Sequence, residues 1–301
     1  MKSFLKKTTL FILPLILLAG VAEFLLQHAP NDYKYKRDQF AKDAKHIQVL
    51  ILGNSHAFYG INPDYLRKKA FNLAYISQPL DYDLALLKKY IGECDSLQYV
   101  IVPVSYSSLY GKLETEKEKW RVKNYTLYYG IHNSTNISDY SELFSNSAEV
   151  NYKKFRSWYI DGVSGITSSE KGWGNNYHSG KGQNLFLTGI KAAERHTKKD
   201  TSYVNDNIAV LNEMVKITKE KNVKLILVTL PAYSTYTYRI NRDQWMRTYS
   251  AAVEIDKSSE NCTYINLFKD PSFVAEDFYD ADHLNEKGAK KLSLLIDGLL
   301  N

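Results

Sequence analysis

Residues 47–56 read Ile47-Gln48-Val49-Leu50-Ile51-Leu52-Gly53-Asn54-Ser55-His56. The run from Gln48 to Leu52 is short and almost wholly apolar, the pattern of a strand covered on both faces. Gly53 then opens a tight turn, where the absence of a side chain lets the backbone bend sharply and a bound molecule come close. A serine follows two residues later, just past the end of the strand.

Working outward, apolar and amphipathic runs alternate. Asn62-Pro63 ahead of 64–69 predicts a helix start, with Asn as cap and Pro in the first position. Ala70 to Ala74 is a short second strand. Asp81 to Ile91 carries Leu84, Leu86, Leu87, Tyr90 and Ile91 at helical spacing. Gln98 to Val104 is a third strand, rich in β-branched residues. Val204 to Lys221 is a long amphipathic helix, and Lys224 to Leu230 a fourth strand stopped by Pro231. Asn241 to Ile255 is helical, Tyr264 to Leu267 is a fifth strand, and Asn285 caps a last helix, Glu286 to Leu300. Strands alternating with helices imply a three-layer α/β fold with a parallel sheet and right-handed crossovers. In such folds ligands bind beyond the C-terminal ends of the strands.

One block breaks the rhythm. From about 111 to 201 the chain has no strand–helix alternation and reads as an insertion. It opens on the charge run Glu114-Thr115-Glu116-Lys117-Glu118-Lys119, expected as a solvated helical face. Aromatics follow, among them Trp120, Tyr125, Tyr128, Tyr129, Trp158, Tyr159, Trp173 and Tyr177. Such rings are either local core or stacking surfaces for sugar rings.

The first 26 residues are a separate text. Leu10 to Ala22 is unbroken apolar, Phe24-Leu25-Leu26 extends it past Glu23, and Lys2, Lys6 and Lys7 lie on its N-terminal side. The stretch nears the roughly 20 residues a membrane span requires. A cleaved signal peptide has a similar apolar core, but no convincing cleavage site follows, so an uncleaved anchor is favoured. The basic flank predicts a cytoplasmic N-terminus and an exported remainder. The expected organisation is therefore an anchor at 1–26, a polar stalk at 27–45, and one domain at 46–301.

Bulk composition narrows the classes. A chain of 301 residues with 44% hydrophobic and 24% charged content has a real core, which argues against disorder. Net charge is +6. Lys2, Lys6, Lys7 and Glu23 give +2 of this, which leaves a scattered +4 that does not suggest nucleic acid. Cys94 and Cys262 show neither C-x-x-C spacing nor a histidine cluster, so no structural zinc site is expected. A disulfide between them is disfavoured, because another strand should separate the two they precede.

The chemistry-bearing counterpart of Ser55 lies near the C-terminus: Asp280-Ala281-Asp282-His283-Leu284-Asn285. A serine is a poor nucleophile without a base within hydrogen-bond reach. His283 is the candidate base. Asp280, three residues earlier, can fold back to the other imidazole nitrogen and fix its tautomer. Asp282 ranks second for that role and Asp277 third. His56, beside the nucleophile, is a substrate contact, a structural side chain under the turn, or simply a rim residue. His28, His46, His132, His178 and His196 are scattered and expected to face solvent.

These residues resemble the SGNH (GDSL-like) hydrolases. Gly53-Asn54-Ser55-His56 is similar to the first block of that family and Asp280-Ala281-Asp282-His283 to the last. Asn72-Leu73-Ala74-Tyr75-Ile76-Ser77-Gln78 resembles the second block, with Ser77 in the place of a glycine whose N–H serves the oxyanion hole. The third block normally supplies an asparagine, which Pro103-Val104-Ser105-Tyr106-Ser107-Ser108 lacks. Ser105, Tyr106 or Gln78 is left to replace it.

The resemblance implies a five-stranded sheet in flavodoxin-like order and a catalytic set of Ser55, His283 and Asp280. Ser77, Gln78, Ser105, Asn54 and His56 are then the oxyanion or substrate-binding candidates, with no metal and no cofactor. Within the family the chain resembles the membrane-anchored, extracytoplasmic branch of polysaccharide O-acetylation proteins, which further implies an anchored serine esterase or O-acyltransferase, most simply for acetyl groups, acting on a cell-surface polysaccharide through an acyl-serine. The membrane and an acyl-donor membrane protein are its expected partners, and nucleic acid is not. Two other readings stand beside it: a non-catalytic binding or assembly protein on the same fold, and a lipase or thioesterase.

Overall fold

The computed structural model describes residues 1–300. Along the chain run α1 (Lys2–His28), α2 (Asp32–Ala41), β1 (Val49–Ile51), α3 (Ser55–Gly60), β2 (Ala70–Asn72), α4 (Leu80–Tyr90) and β3 (Tyr99–Pro103). Then come α5 (Glu142–Ser145), α6 (Ala148–Tyr159), α7 (Leu185–His196), α8 (Val204–Glu220), β4 (Lys224–Thr229), α9 (Ser234–Thr237) and α10 (Arg242–Ser258). The chain closes with β5 (Cys262–Asn266), a hairpin of β6 (Phe278–Asp280) and β7 (His283–Leu284), and α11 (Glu286–Leu299).

The chain divides into two compact units, 1–37 with 117–167 and 38–116 with 168–301. The second holds a parallel five-stranded sheet in the order β2-β1-β3-β4-β5, the flavodoxin-like order. Successive side chains of a strand face opposite ways. Val49, Ile51, Ile101, Ile226 and Val228 share one apolar cluster with residues of α3 and α11. Their neighbours Leu50, Val100, Val102, Leu225 and Leu227 are fully buried toward the other face, where α4 packs on α8. Both faces are covered, which is why these strands read as continuous apolar runs.

In the first unit, α1 is 27 residues long, with a mean hydropathy of 2.4 over its most apolar window. It is long and apolar enough to cross a membrane, and almost none of that window is buried. Near its C-terminal end α1 packs on α5 and α6. Glu142 is buried there against Lys123 (3.1 Å), Lys154 (3.0 Å) and the Tyr128 hydroxyl (2.7 Å). Burial alone would raise its carboxyl, but the two lysines outweigh that and hold it below the ordinary range.

Several expectations need correcting. The stretch expected as a stalk, 27–45, is largely the helix α2, and Tyr33 and Phe40 are buried. The helix expected after Asn62-Pro63 is one 3-10 turn, Pro63–Tyr65. Asn62 caps it, but the chain must straighten at Leu66 to enter β2 at Ala70. The charge run 114–119 is not a helical face. Tertiary partners divide it, as Glu114 accepts the Tyr82 hydroxyl at 2.5 Å and Glu116 pairs with Lys198 at 2.7 Å. The insertion does not stay in one piece either: 117–167 belongs to the unit of α1, and 168–201 to the unit of the sheet. Cys94 and Cys262 are buried and free.

Candidate active site

Gly53 sits at φ +115°, in the region that favours glycine. A Cβ there would lie 2.1 Å from Cγ of Pro103 on the neighbouring strand. Its N–H donates to the buried carboxyl of Asp83 at 2.6 Å, which also takes the Gln78 side-chain amide at 2.5 Å. Burial pushes the Asp83 carboxyl up to about 8. This cradle holds the turn, and Asn54 then caps α3 by accepting from the His56 N–H at 3.1 Å. Ser55 is the first residue of that helix, so its own N–H has no intrahelical acceptor.

On the far side of the sequence, Asp280 and His283 face each other across the tight hairpin of β6 and β7, with Ala281-Asp282 as its turn. Asp280 Oδ1 accepts the N–H groups of Asp282 (3.1 Å) and His283 (2.8 Å), which turns the carboxylate inward. The same oxygen meets His283 Nδ1 at 2.9 Å, and His283 Nε2 meets Ser55 Oγ at 2.8 Å. Asn285 locks the hairpin to the last helix by capping α11 and donating to Glu276 and Phe278 carbonyls. Burial would lower the His283 pKa, but the charges of Asp282 and Asp280 and the Asp280 hydrogen bond outweigh it and raise it. With Asp280 on Nδ1–H, Nε2 is free to accept the serine proton.

Asp282 takes a different part. It is almost fully buried, and its Oδ1 stays 3.7 Å from His283 Nδ1. Its Oδ2 accepts from Arg195 Nη2 at 2.8 Å and lies 3.6 Å from His56 Nε2 and 3.8 Å from His196 Nε2. Burial holds His56 below the usual imidazole range and His196 down to about 3. Two neutral rings cannot balance a carboxylate, so Arg195 is its standing countercharge. His196 is fixed by the Tyr236 hydroxyl on Nδ1 (3.0 Å) and by Arg195 Nε, which donates to its Nε2 at 3.2 Å.

His196 was expected to face solvent and instead lies in this cluster. It arrives on α7, which packs closely on α9 because position 189 is glycine. A Cβ there would lie 2.7 Å from the Thr235 carbonyl carbon. Arg195 escaped the sequence reading altogether. Nothing in the insertion marks the Arg195-His196 pair, since only packing brings it to Asp282.

His56 is neither at the rim nor a plain core ring. Asn54 Nδ2 donates to Ser105 Oγ at 3.2 Å, and Ser105 Oγ is 2.9 Å from His56 Nδ1. The Asp282 carboxylate beside Nε2 favours the tautomer with its proton there, and the Ser105 hydroxyl then donates to Nδ1. That Nε2 is buried without a hydrogen-bond partner among the described residues. Beside it, His56, Ser105, Tyr106, Tyr236 and Asp282 line a small cavity, large enough for about one water molecule.

The remaining candidates divide. Ser77 adopts φ +59°, the left-handed conformation, so a glycine-like backbone is kept without a glycine. Gln78 is a brace: its side-chain amide is on Asp83 and directed at the Leu73 carbonyl. The Tyr106 hydroxyl accepts the Asn241 N–H and meets Thr197, so it is spent elsewhere. Asp277 pairs with Lys291 and accepts the Val274 N–H. Among the insertion aromatics, Tyr177 stacks between Tyr59 (3.6 Å) and Tyr279 (3.9 Å), and presents its edge to His283 at 5.6 Å. Trp173 donates its indole N–H to the Tyr59 carbonyl and braces that stack.

His56, Asp282 and His283 also bring potential metal-ligating atoms within 4.8 Å of one another. A cation there would have to compete with Arg195 for Asp282 and draw His283 from Ser55 and Asp280.

A family described as a protein of unknown function, DUF1574, matches residues 175–293, a span that includes Asp280 and His283 but not Ser55. No curated protein matches. Solved structures similar to the chain include a provisionally assigned platelet activating factor from Streptococcus pneumonia, at 10% identity and TM-score 0.48, covering 97% of this chain and 99% of that one. A provisionally assigned acylhydrolase from Bacteroides fragilis NCTC 9343 is 9% identical at TM-score 0.40, covering 87% and 95%. A GDSL-like lipase from Bacteroides thetaiotaomicron VPI-5482 is 10% identical at TM-score 0.40, covering 90% and 98%.

Proposed function

We propose that the chain is a serine-dependent acyl-ester hydrolase or O-acyltransferase, anchored by α1 and acting outside the cytoplasm on short acyl groups of a cell-surface polysaccharide. The observation that carries the reading is the continuous relay from Ser55 Oγ through His283 to Asp280, at 2.8 and 2.9 Å. In this reading Ser55 Oγ attacks the ester carbon while its proton passes to His283 Nε2. The oxyanion is met by the N–H groups of Ser55 and Ser77. Collapse breaks the bond to the leaving oxygen, which takes the proton back from His283, and the acyl group stays on Ser55. Water or a sugar hydroxyl then repeats the sequence from the other side.

A polar ring substrate is supported by the aromatic-rich composition of 111–201, since aromatic faces pack on sugar C–H groups while hydroxyls stay hydrated. The side of the membrane rests on Lys2, Lys6 and Lys7 before the apolar run. An acyl-donor membrane protein is the partner that the transferase form would need. The test combines labelling with a fluorophosphonate probe and an acyl-length series of p-nitrophenyl esters. Expected are labelling lost in Ser55→Ala and turnover greatest for acetyl. Equal turnover in wild type and Ser55→Ala would sink the catalytic reading, and a steady rise toward long chains would replace the glycan with a lipid ester. Loss of the gene should shift surface-polymer acetylation upward for an esterase and downward for a transferase.

A further inference from the structure

Outside the catalytic cluster, the least expected surface belongs to the unit that contains α1. Ile137 is 86% exposed, Phe144 72%, Ile160 65% and Val163 56%, and the rings of Trp158 and Tyr159 are partly exposed beside them in sequence. Side chains of this kind, grouped in one short stretch of 27 residues, are not what a water-facing surface carries.

Their position relative to α1 follows from hydrogen bonds. Glu23 accepts the Ser141 hydroxyl (2.6 Å), the N–H groups of Glu142 (2.9 Å) and Leu143 (2.8 Å), and the side-chain amide of Gln27 (2.5 Å). The Tyr159 hydroxyl donates to the Leu25 carbonyl at 3.0 Å. Residues 141–143 and 159 are thus tied to the last two turns of α1. Lys7 and Glu23 are sixteen residues apart, about 24 Å along a helix, against a hydrocarbon core of about 30 Å. If Lys7 marks one boundary, Glu23 and Leu25 stop a few ångströms short of the other, just inside the hydrocarbon edge. A carboxylate at that depth needs every lone pair answered, and here α5 answers it.

We propose that residues 137–163 form a collar seated in the membrane interface around the end of α1, with Ile137, Phe144, Ile160 and Val163 in contact with lipid. The occupant is the bilayer itself, because residues 141–143 and 159 are hydrogen-bonded to the last turns of the anchor, where Leu17, Leu18, Val21 and Phe24 of α1 are likewise exposed. Trp158, Tyr159 and Tyr140 then stand where amphipathic rings collect, between hydrocarbon and headgroups. The amphipathic helix α6 lies in the interface instead of in water. The inference rests on α1 being a retained span, as proposed above.

The test uses the full chain in lipid nanodiscs, with a fluorophore on Phe144→Cys, Ile160→Cys or, as a reporter of the span, Leu17→Cys. Cys94 and Cys262 are buried, so the introduced thiol takes the label. Quenching is compared for iodide in water and for doxyl groups near the headgroup or near the chain end. Expected is loss of fluorescence at 144 and 160 from shallow doxyl lipid and little from iodide, with Leu17→Cys quenched by deep doxyl lipid. The collar is overturned if 144 and 160 respond to iodide alone while 17 responds to lipid. Shielding of 144 and 160 from both quenchers would mean a protein cover and also overturns it. If position 17 responds to no lipid, the anchor itself falls, and the collar with it. An unfolding midpoint equal to wild type shows that each labelled variant is folded.

Discussion

The guanidinium of Arg195 closes on the buried carboxylate of Asp282, Nη2 to Oδ2 at 2.8 Å, and Asp282 Oδ1 in turn lies 3.7 Å from His283 Nδ1. The imidazole that faces Ser55 therefore feels two carboxylates, but only Asp280 bonds it. Asp282 acts on it through space, and Arg195 sets how strongly.

Two substitutions should move the acid limb of activity in opposite directions. Arg195→Ala leaves Asp282 without its fixed cation, strengthens the negative field at His283, and should shift the limb to higher pH. Asp282→Asn removes that field and should shift it to lower pH. The pH profile of kcat/KM checks both, and a common direction for the two variants would contradict the arrangement.

In the unaltered protein, His283 must be neutral to accept the Ser55 proton. Its pKa is raised by Asp282 and Asp280 above that of an ordinary imidazole, despite burial. Activity should therefore be low in acid and climb through a midpoint above about 6.5. A midpoint at or below that value would count against the charge assignment.

Asp280→Asn should lower kcat on a small acetyl ester by roughly 10³–10⁴-fold, because the imidazole loses both its tautomer and its counterion. The asparagine oxygen can still accept the N–H groups that Asp280 holds, so the hairpin should survive. Circular dichroism alongside the kinetics separates the two effects.

Gly53→Ala should destabilise the fold by about 2–4 kcal/mol, through a Cβ driven into Pro103 at a positive φ. Denaturant titration reads the loss directly.

Asp83 couples stability to pH. Its carboxyl titrates near 8 when folded, as burial dictates, and near 3.9 when unfolded. The unfolded chain gives up the proton first, so this contribution to stability is complete below about pH 4 and is lost as pH rises toward 8. Asp83→Asn keeps an acceptor for Gly53 and Gln78 but does not titrate. Its melting temperature should fall less than that of wild type between pH 5 and 9.

The sequence by itself determined the parallel sheet, because β1, β3 and β4 beyond Lys224 are buried on both faces and read as near-continuous apolar runs, and α8, α10 and α11 carry their periodicity openly. It also exposed Ser55 and the Asp280–His283 turn, since a turn after a strand and a three-residue return to an imidazole are local features. Only the tertiary structure decided the rest of the site. Asn54, His56, Ser105, Arg195 and Asp282 come from four separate stretches, and no spacing links them. Ser105 is tied to His56 because β3 lies beside β1, and Arg195-His196 reaches Asp282 because Gly189 lets α7 settle on α9. Local pattern reports what a residue's neighbours along the chain require. A charge buried among distant side chains is answered only once the chain has folded around it.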